Sequence, residues 1–144
     1  MKKFLIACAA VCCAALVAAP AAPKGWVTDY DAALVQAAKE KKSVLVLFTG
    51  SDWCGWCKKL HKDTLDQAAF KKFADKKLIL VYMDMPRSQA PADRAKVQEL
   101  SRKLQAGGGV PCTVIIGADG TVKGKIVGYR PLERYLAELK KFVK

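Results

Sequence analysis

Apolar and polar positions fall in distinct blocks along the chain, and each block predicts an element. Phe4 to Ala19 is an unbroken apolar run behind Lys2-Lys3. Beyond it the pattern becomes amphipathic. Asp29 is placed to cap a helix from about Tyr30 to Lys42, with Ala33, Leu34, Ala37 and Ala38 on one face. Ser43 to Thr49 (SVLVLFT) is continuously apolar, the pattern of a strand covered on both faces. A polar turn, Gly50-Ser51-Asp52, leads into Trp53-Cys54-Gly55-Trp56-Cys57 and a helical stretch. That stretch should bend near Asp63-Thr64 and resume from Asp66 to about Lys76. Leu78 to Asp84 (LILVYMD) reads as a second buried strand, and Pro86 to Ala92 as loop. Asp93 to Gln105 carries a helical stripe of Val97, Leu100 and Leu104 and ends at Gly107-Gly108-Gly109.

The last third changes rhythm. Val110-Pro111-Cys112-Thr113-Val114-Ile115-Ile116 predicts a strand beginning at a proline, and Gly117-Ala118-Asp119-Gly120 is a hairpin signal before a strand from Thr121 to Val127. Pro131 opens a final helix with Leu132, Leu136, Leu139, Phe142 and Val143 inward. The order αβαβαββα defines an α/β fold. Strands separated by helices pair in parallel and the late hairpin adds antiparallel strands, so the central sheet should be mixed and flanked by helices. No internal repeat or Gly/Ser linker interrupts it.

Composition sharpens this picture at the N-terminus. The chain has 144 residues, enough for one domain with its own core, and six cysteines, three of them at Cys8, Cys12 and Cys13. Lys2-Lys3, the sixteen-residue apolar run and the small-residue stretch Ala18-Ala19-Pro20-Ala21-Ala22-Pro23 have the layout of a secretory signal peptide. The run is shorter than the roughly 20 residues that span a bilayer, which disfavours an uncleaved anchor. Cleavage after Ala19 or Ala21 suits the small-residue rule. Residues 1–21 are assigned to this segment and 22–144 to the domain, which places the mature protein in the periplasm or outside the cell, where disulfides persist. Losing Lys2 and Lys3 lowers the net charge by two, from +12 to +10. Three cysteines remain, Cys54, Cys57 and Cys112, and an odd number excludes a fully paired disulfide scaffold.

Cys54 and Cys57 are spaced for either of two chemistries. Their sulfurs can cycle between dithiol and disulfide, or supply half of a zinc site. Zinc normally takes four N/S ligands, and the mature chain offers only Cys112 and its single histidine, His61, in addition, so no metal is expected. At a helix start Cys54 would meet unpaired backbone N–H groups and the positive end of the helix dipole, both of which favour the thiolate. Cys57, one turn further in, can close a disulfide with it and is better shielded. Cys54 is therefore expected to attack a substrate disulfide and Cys57 to resolve the mixed disulfide. Lys58 and Lys59 are expected to point to solvent.

Trp53-Cys54-Gly55-Trp56-Cys57-Lys58 after a buried strand, with Val110-Pro111, the Asp119-Gly120 turn and Gly128 downstream, resembles the thioredoxin superfamily from about Trp26 to Val143. The longer string from Gly50 to Leu60 is similar to a branch of small exported thioredoxin-like proteins. The resemblance implies a thioredoxin-like fold and a cis Pro111 lying against the disulfide, with the Val110 backbone offering strand-like hydrogen bonds to a bound peptide. Trp53, Gly55, Trp56, Val110 and Pro111 would then form the substrate-binding wall. Three departures stand out. Gly55-Trp56 replaces the Gly-Pro of thioredoxin proper. The buried acid that thioredoxin carries on the preceding strand is missing from Val44-Leu45-Val46-Leu47-Phe48, so the proton of Cys57 must go to water or another group. Cys112 stands where a threonine is common. It reads either as a small buried hydrophobe or as an accessory thiol near the active site.

The tryptophans read as an apolar collar for substrate in preference to plain packing. His61, one turn past Cys57, reads as a solvated helix residue in preference to a proton shuttle. Gly107–Gly109 lacks the strand-then-helix context of a phosphate loop. The 25 Lys and Arg against 13 Asp and Glu are interleaved with acids, as on solvated faces, and export argues against nucleic acid. The expected function is thiol-disulfide exchange without a cofactor beyond the Cys54–Cys57 pair. The chain is expected to be a monomer, and as the resemblance implies it would reduce protein disulfides and itself be re-reduced by a membrane-embedded electron relay. An oxidase or isomerase, or a non-catalytic binding module holding a structural disulfide, are the alternatives.

Overall fold

The computed structural model describes residues 21–144, so nearly all of the expected leader, with Cys8, Cys12 and Cys13, lies outside the described residues. The sheet is built from four strands: β1 (Ser43–Thr49), β2 (Leu78–Asp84), β3 (Cys112–Ile116) and β4 (Val122–Val127). They lie in the order β2-β1-β3-β4. The helical segment between β1 and β2 lets those strands run parallel, Ser43 opposite Leu78 and Thr49 opposite Asp84. β3 runs antiparallel to β1 and to β4, so the sheet is mixed as expected. Val27 adds a single parallel bridge to Val81 on the outer edge of β2, anchored by Val27 N–H on the Leu80 carbonyl (2.9 Å).

The pleat of β1 explains its apolar run, since successive side chains feed two cores. Val44, Val46 and Phe48 pack with Ala33 and Ala37 of α1 (Tyr30–Glu40) and with Leu104. Leu45 and Leu47 face the opposite layer, with Leu60, Phe70, Tyr135 and Leu139. Asp29 caps α1, its carboxylate accepting from Ala32 N–H at 2.9 Å.

The bend expected in the second helical stretch has a defined form. After α2 (Gly55–Leu60) the chain makes one π turn, His61–Leu65, in which Asp66 N–H donates to the His61 carbonyl at 2.9 Å. The helix resumes as α3 (Ala68–Lys77). Thr64 is fully buried at the turn, and its hydroxyl donates to the Arg130 carbonyl at 2.8 Å.

Other boundaries moved by a few residues. Helix α4 (Pro91–Lys103) begins ahead of Asp93, because a proline lacking an N–H fits a first helical position. β3 starts at Cys112, after the proline. Gly117 and Thr121 close the hairpin, Gly117 N–H donating to the Thr121 carbonyl at 2.8 Å, with Gly120 at φ 77°. In α5 (Leu132–Leu139) and the residues after it the expected inward set packs on the core, with Val143 buried, and Tyr135 joins it. Tyr135 and Leu139 are fully buried, whereas Leu132, Leu136 and Phe142 are half-buried. Tyr135 escaped the apolar count because it is polar at one end. Its hydroxyl shares a 2.7 Å hydrogen bond with Thr113 Oγ1, which makes the burial affordable.

Candidate active site

The reactive segment is held from both sides. At the end of β1, Gly50 leaves no room for a Cβ, which would strike the Trp53 indole. Cys54 N–H donates to the Gly50 carbonyl at 2.9 Å, tightening the turn. Ser51 donates from its N–H to Asp84 Oδ1 (2.9 Å) and from its hydroxyl to the other carboxylate oxygen. Asp52 accepts from Arg87 N–H at 3.0 Å, and Trp53 Nε1 donates to the Met85 carbonyl at 2.7 Å. The turn is thus tied to the end of β2 and the loop beyond it.

Cys54 is the N-cap of α2, with extended backbone angles and its Sγ accepting from Cys57 N–H at 3.2 Å. Cys54 and Cys57 are joined as a disulfide with Cα atoms 5.2 Å apart. The two sulfurs are unequal: Cys54 is 7% exposed and Cys57 1%. Opposite them the Val110–Pro111 peptide is cis, as the resemblance implied, and the Val110 carbonyl oxygen lies 3.8 Å from Cys54 Sγ. Gly55 has open space where a Cβ would stand. Val110 and the cis Pro111 are thus brought against Cys54, with Gly55 beside it in sequence.

The lysines do not gather on Cys54. Lys58 Nζ donates to the Asp52 carbonyl at 3.1 Å, and Lys59 Nζ pairs with Asp63 at 2.7 Å. The second pair rests on a residue that sequence reasoning missed, Tyr129. Its ring lies 5.6 Å from that of Trp56 and 5.1 Å from Lys59 Nζ, and its hydroxyl donates to Asp63 at 3.2 Å. An aromatic just after Gly128 at the end of β4 was the available signal. Trp56 is 61% exposed and Trp53 42%, so both present apolar surface beside the cysteines.

Cys112 sits beneath this surface, fully buried, its thiol donating to the Ala106 carbonyl at 3.2 Å. Burial pushes its pKa up, which favours the unreactive thiol. His61 differs from the solvated residue expected. It is half-buried, with its ring 5.5 Å from that of Tyr82 and 6.1 Å from that of Trp26. Its Nε2 is sealed from solvent without a hydrogen-bond partner, and desolvation holds its pKa below the ordinary value. Among the described residues no group of three or more His, Cys, Asp or Glu side chains is placed to hold a metal ion.

A helix-capping Cys-x-x-Cys facing a cis-proline at one end of a mixed sheet is the arrangement of the thioredoxin class, and sequence comparison agrees. The chain belongs to the thioredoxin-like domain family, whose model matches residues 30–143. Within that class it is similar to the disulfide bond reductase DsbH of Chlamydia pneumoniae, 35% identical over 105 residues, covering 72% of this chain and 62% of DsbH. The thioredoxin-related protein DsbJ of the same organism is 28% identical over 92 residues, covering 63% of this chain and 26% of DsbJ. The chain thus spans less than two thirds of the length of these curated relatives. The solved structure of a DsbH oxidoreductase superposes with a TM-score of 0.70 at 32% identity, covering 80% of this chain and 81% of that one.

Proposed function

We propose that this chain is an exported protein-disulfide oxidoreductase that reduces disulfides in other proteins through Cys54 and Cys57. The observation that carries this reading is the inequality of the two sulfurs, with the more exposed one at a helix N-cap beside the Val110 carbonyl. The Cys54 thiolate attacks one sulfur of a substrate disulfide, forming a mixed disulfide and expelling a substrate thiolate. Cys57, losing its proton, then attacks Cys54 Sγ and expels the second substrate thiol. One substrate disulfide becomes two thiols while the Cys54–Cys57 pair is oxidised, and no metal, nucleotide or flavin takes part.

An extended substrate segment lies along Val110, its backbone pairing there as an added strand, with Trp53, Gly55, Trp56 and Pro111 as the wall. Cys112 serves as core, a reading supported by its burial and raised pKa. The protein works in the periplasm after removal of residues 1–21, and a membrane-embedded electron relay returns it to the dithiol. The name of the DsbH relative supports reduction as the direction. Insulin reduction tests the reading. The dithiol form should precipitate the insulin B chain catalytically, Cys54→Ser should fall to background, and Cys57→Ser should accumulate as a mixed disulfide with substrate. A wild-type protein without turnover, whose disulfide resists dithiothreitol, would leave only a binding module.

A further inference from the structure

Resolution of a mixed disulfide requires Cys57 as thiolate, yet this sulfur is 1% exposed and the preceding strand carries no acid. The surroundings of Cys57 supply another acceptor. A cavity of about 340 Å³ opens beside it, lined among others by Ser51, Cys57, Lys58, His61, Asp66 and Tyr82. That volume accommodates several waters, and the polar side chains set in its largely apolar lining can bind them. The His61 backbone N–H donates to the Cys57 carbonyl, so the two side chains lie one turn apart on the same helical face. The π turn begins at His61, where the chain departs from regular α-helix.

The other titratable groups facing this cavity are engaged or in the wrong state. The Tyr82 phenol is pushed up to about 12 by burial and stays protonated. Asp84, at the end of the same strand, is taken up by Ser51 through both carboxylate oxygens. Asp66 lies 3.8 Å from Lys71 and, like Asp84, raises the proton affinity of His61, although desolvation outweighs both. The ammonium groups of Lys58 and Lys62 have no lone pair with which to take a proton, and Lys58 Nζ donates to the Asp52 carbonyl. His61 itself is kept neutral at neutral pH by burial, the state that accepts a proton. With Nε2 sealed, Nδ1 is the nitrogen through which water can exchange one.

We propose that His61 receives the Cys57 proton, through water in this cavity, as Cys57 resolves the mixed disulfide. The inference rests on the exchange reading above. The Cys57 S–H bond breaks and its proton passes by water to the imidazole. The Cys57 thiolate attacks Cys54 Sγ, the Cys54–substrate S–S bond breaks, and the departing substrate thiolate takes the proton back from the imidazolium by way of solvent. His61 is unchanged after each cycle. It acts on Cys57 through water and never touches the substrate, so it is a positioning and relay residue.

The test uses the full mature protein in its dithiol form and Ellman's reagent. Attack by Cys54 releases a first nitrothiobenzoate and resolution by Cys57 a second, and both are followed by stopped-flow absorbance across pH. His61→Phe keeps an aromatic ring against Trp26 and Tyr82 but cannot accept a proton. The expected result is an unchanged first release and a second release slowed about a hundredfold at neutral pH, the gap closing in alkali where the thiol ionises unaided. His61→Glu, which restores an acceptor, should recover part of that loss. If His61→Phe does not fold, His61→Gln carries the same comparison. An unchanged second phase, or one slowed equally at every pH, overturns the relay while leaving exchange intact. A wild type that gives no second release overturns the exchange reading itself.

Discussion

His61 carries a second consequence through its titration, this time for stability. Burial beside Trp26 and Tyr82 lowers its pKa from the ordinary 6.5, so the unfolded chain binds this proton at a higher pH than the folded one. Its contribution to stability is therefore complete above 6.5 and is lost as pH falls from there through the lowered folded value. The carboxylates of Asp63, half-buried, and Asp119, exposed, act in a lower window. Each is held below the ordinary 3.8, first of all by a lysine hydrogen bond, Lys59 for Asp63 and Lys123 for Asp119. Melting temperature against pH should thus fall in two stages for the wild type. His61→Phe should flatten the stage just below 6.5 and leave the more acidic one in place. Identical profiles for the two proteins would mean that this ring's burial costs nothing on protonation.

Helix α2 runs directly into the π turn, Gln67 in extended backbone then separates that turn from α3, and Thr64 holds the break. Its hydroxyl reaches the Arg130 carbonyl across 2.8 Å, tying the turn to the segment that leads into α5. Thr64→Val preserves shape, removes that donor and strands a partly buried carbonyl, which should cost about 1–2 kcal/mol in denaturant unfolding. A change near zero would show that the bend is held by packing alone. The bend was legible because Asp63-Thr64 puts polar residues inside a helical pattern. The i→i+5 geometry was not, since it depends on what the next layer offers Thr64. The site divides the same way. Cys54, Cys57 and the cis Pro111 follow from local spacing and a family likeness, whereas His61 and Tyr129 gain their surroundings from distant segments. Trp26 arrives from before α1 to cover His61, and Asp63 reaches Tyr129 from the π turn. Tyr135 was missed for a related reason, because Thr113 on β3 satisfies the hydroxyl that would otherwise keep a tyrosine at the surface.

For the whole molecule, the balance between its two redox forms is also a balance of fold stability. Folding and disulfide formation make a closed cycle, so a pair that is more reducing in the folded protein than in the unfolded chain must stabilise the fold when oxidised. A tenfold change in the exchange equilibrium corresponds to about 1.4 kcal/mol, or about 30 mV. Strongly oxidising members of such systems reverse the balance by stabilising the reduced form, chiefly its thiolate. Here little is arranged to do so. Cys54 Sγ accepts the Cys57 N–H, but Lys58 is turned to the Asp52 carbonyl and Lys59 to Asp63, and Gly55-Trp56 places no ionisable side chain between the cysteines. The positive charge of these two lysines is thus not focused on the nucleophile. The oxidised protein should therefore melt several degrees above the dithiol form, at a few °C per kcal/mol for a domain of this size. Calorimetry on both forms at one pH measures the difference directly. A dithiol form that melts higher would turn the direction of electron flow toward oxidation, with the same two cysteines and the same exchange chemistry.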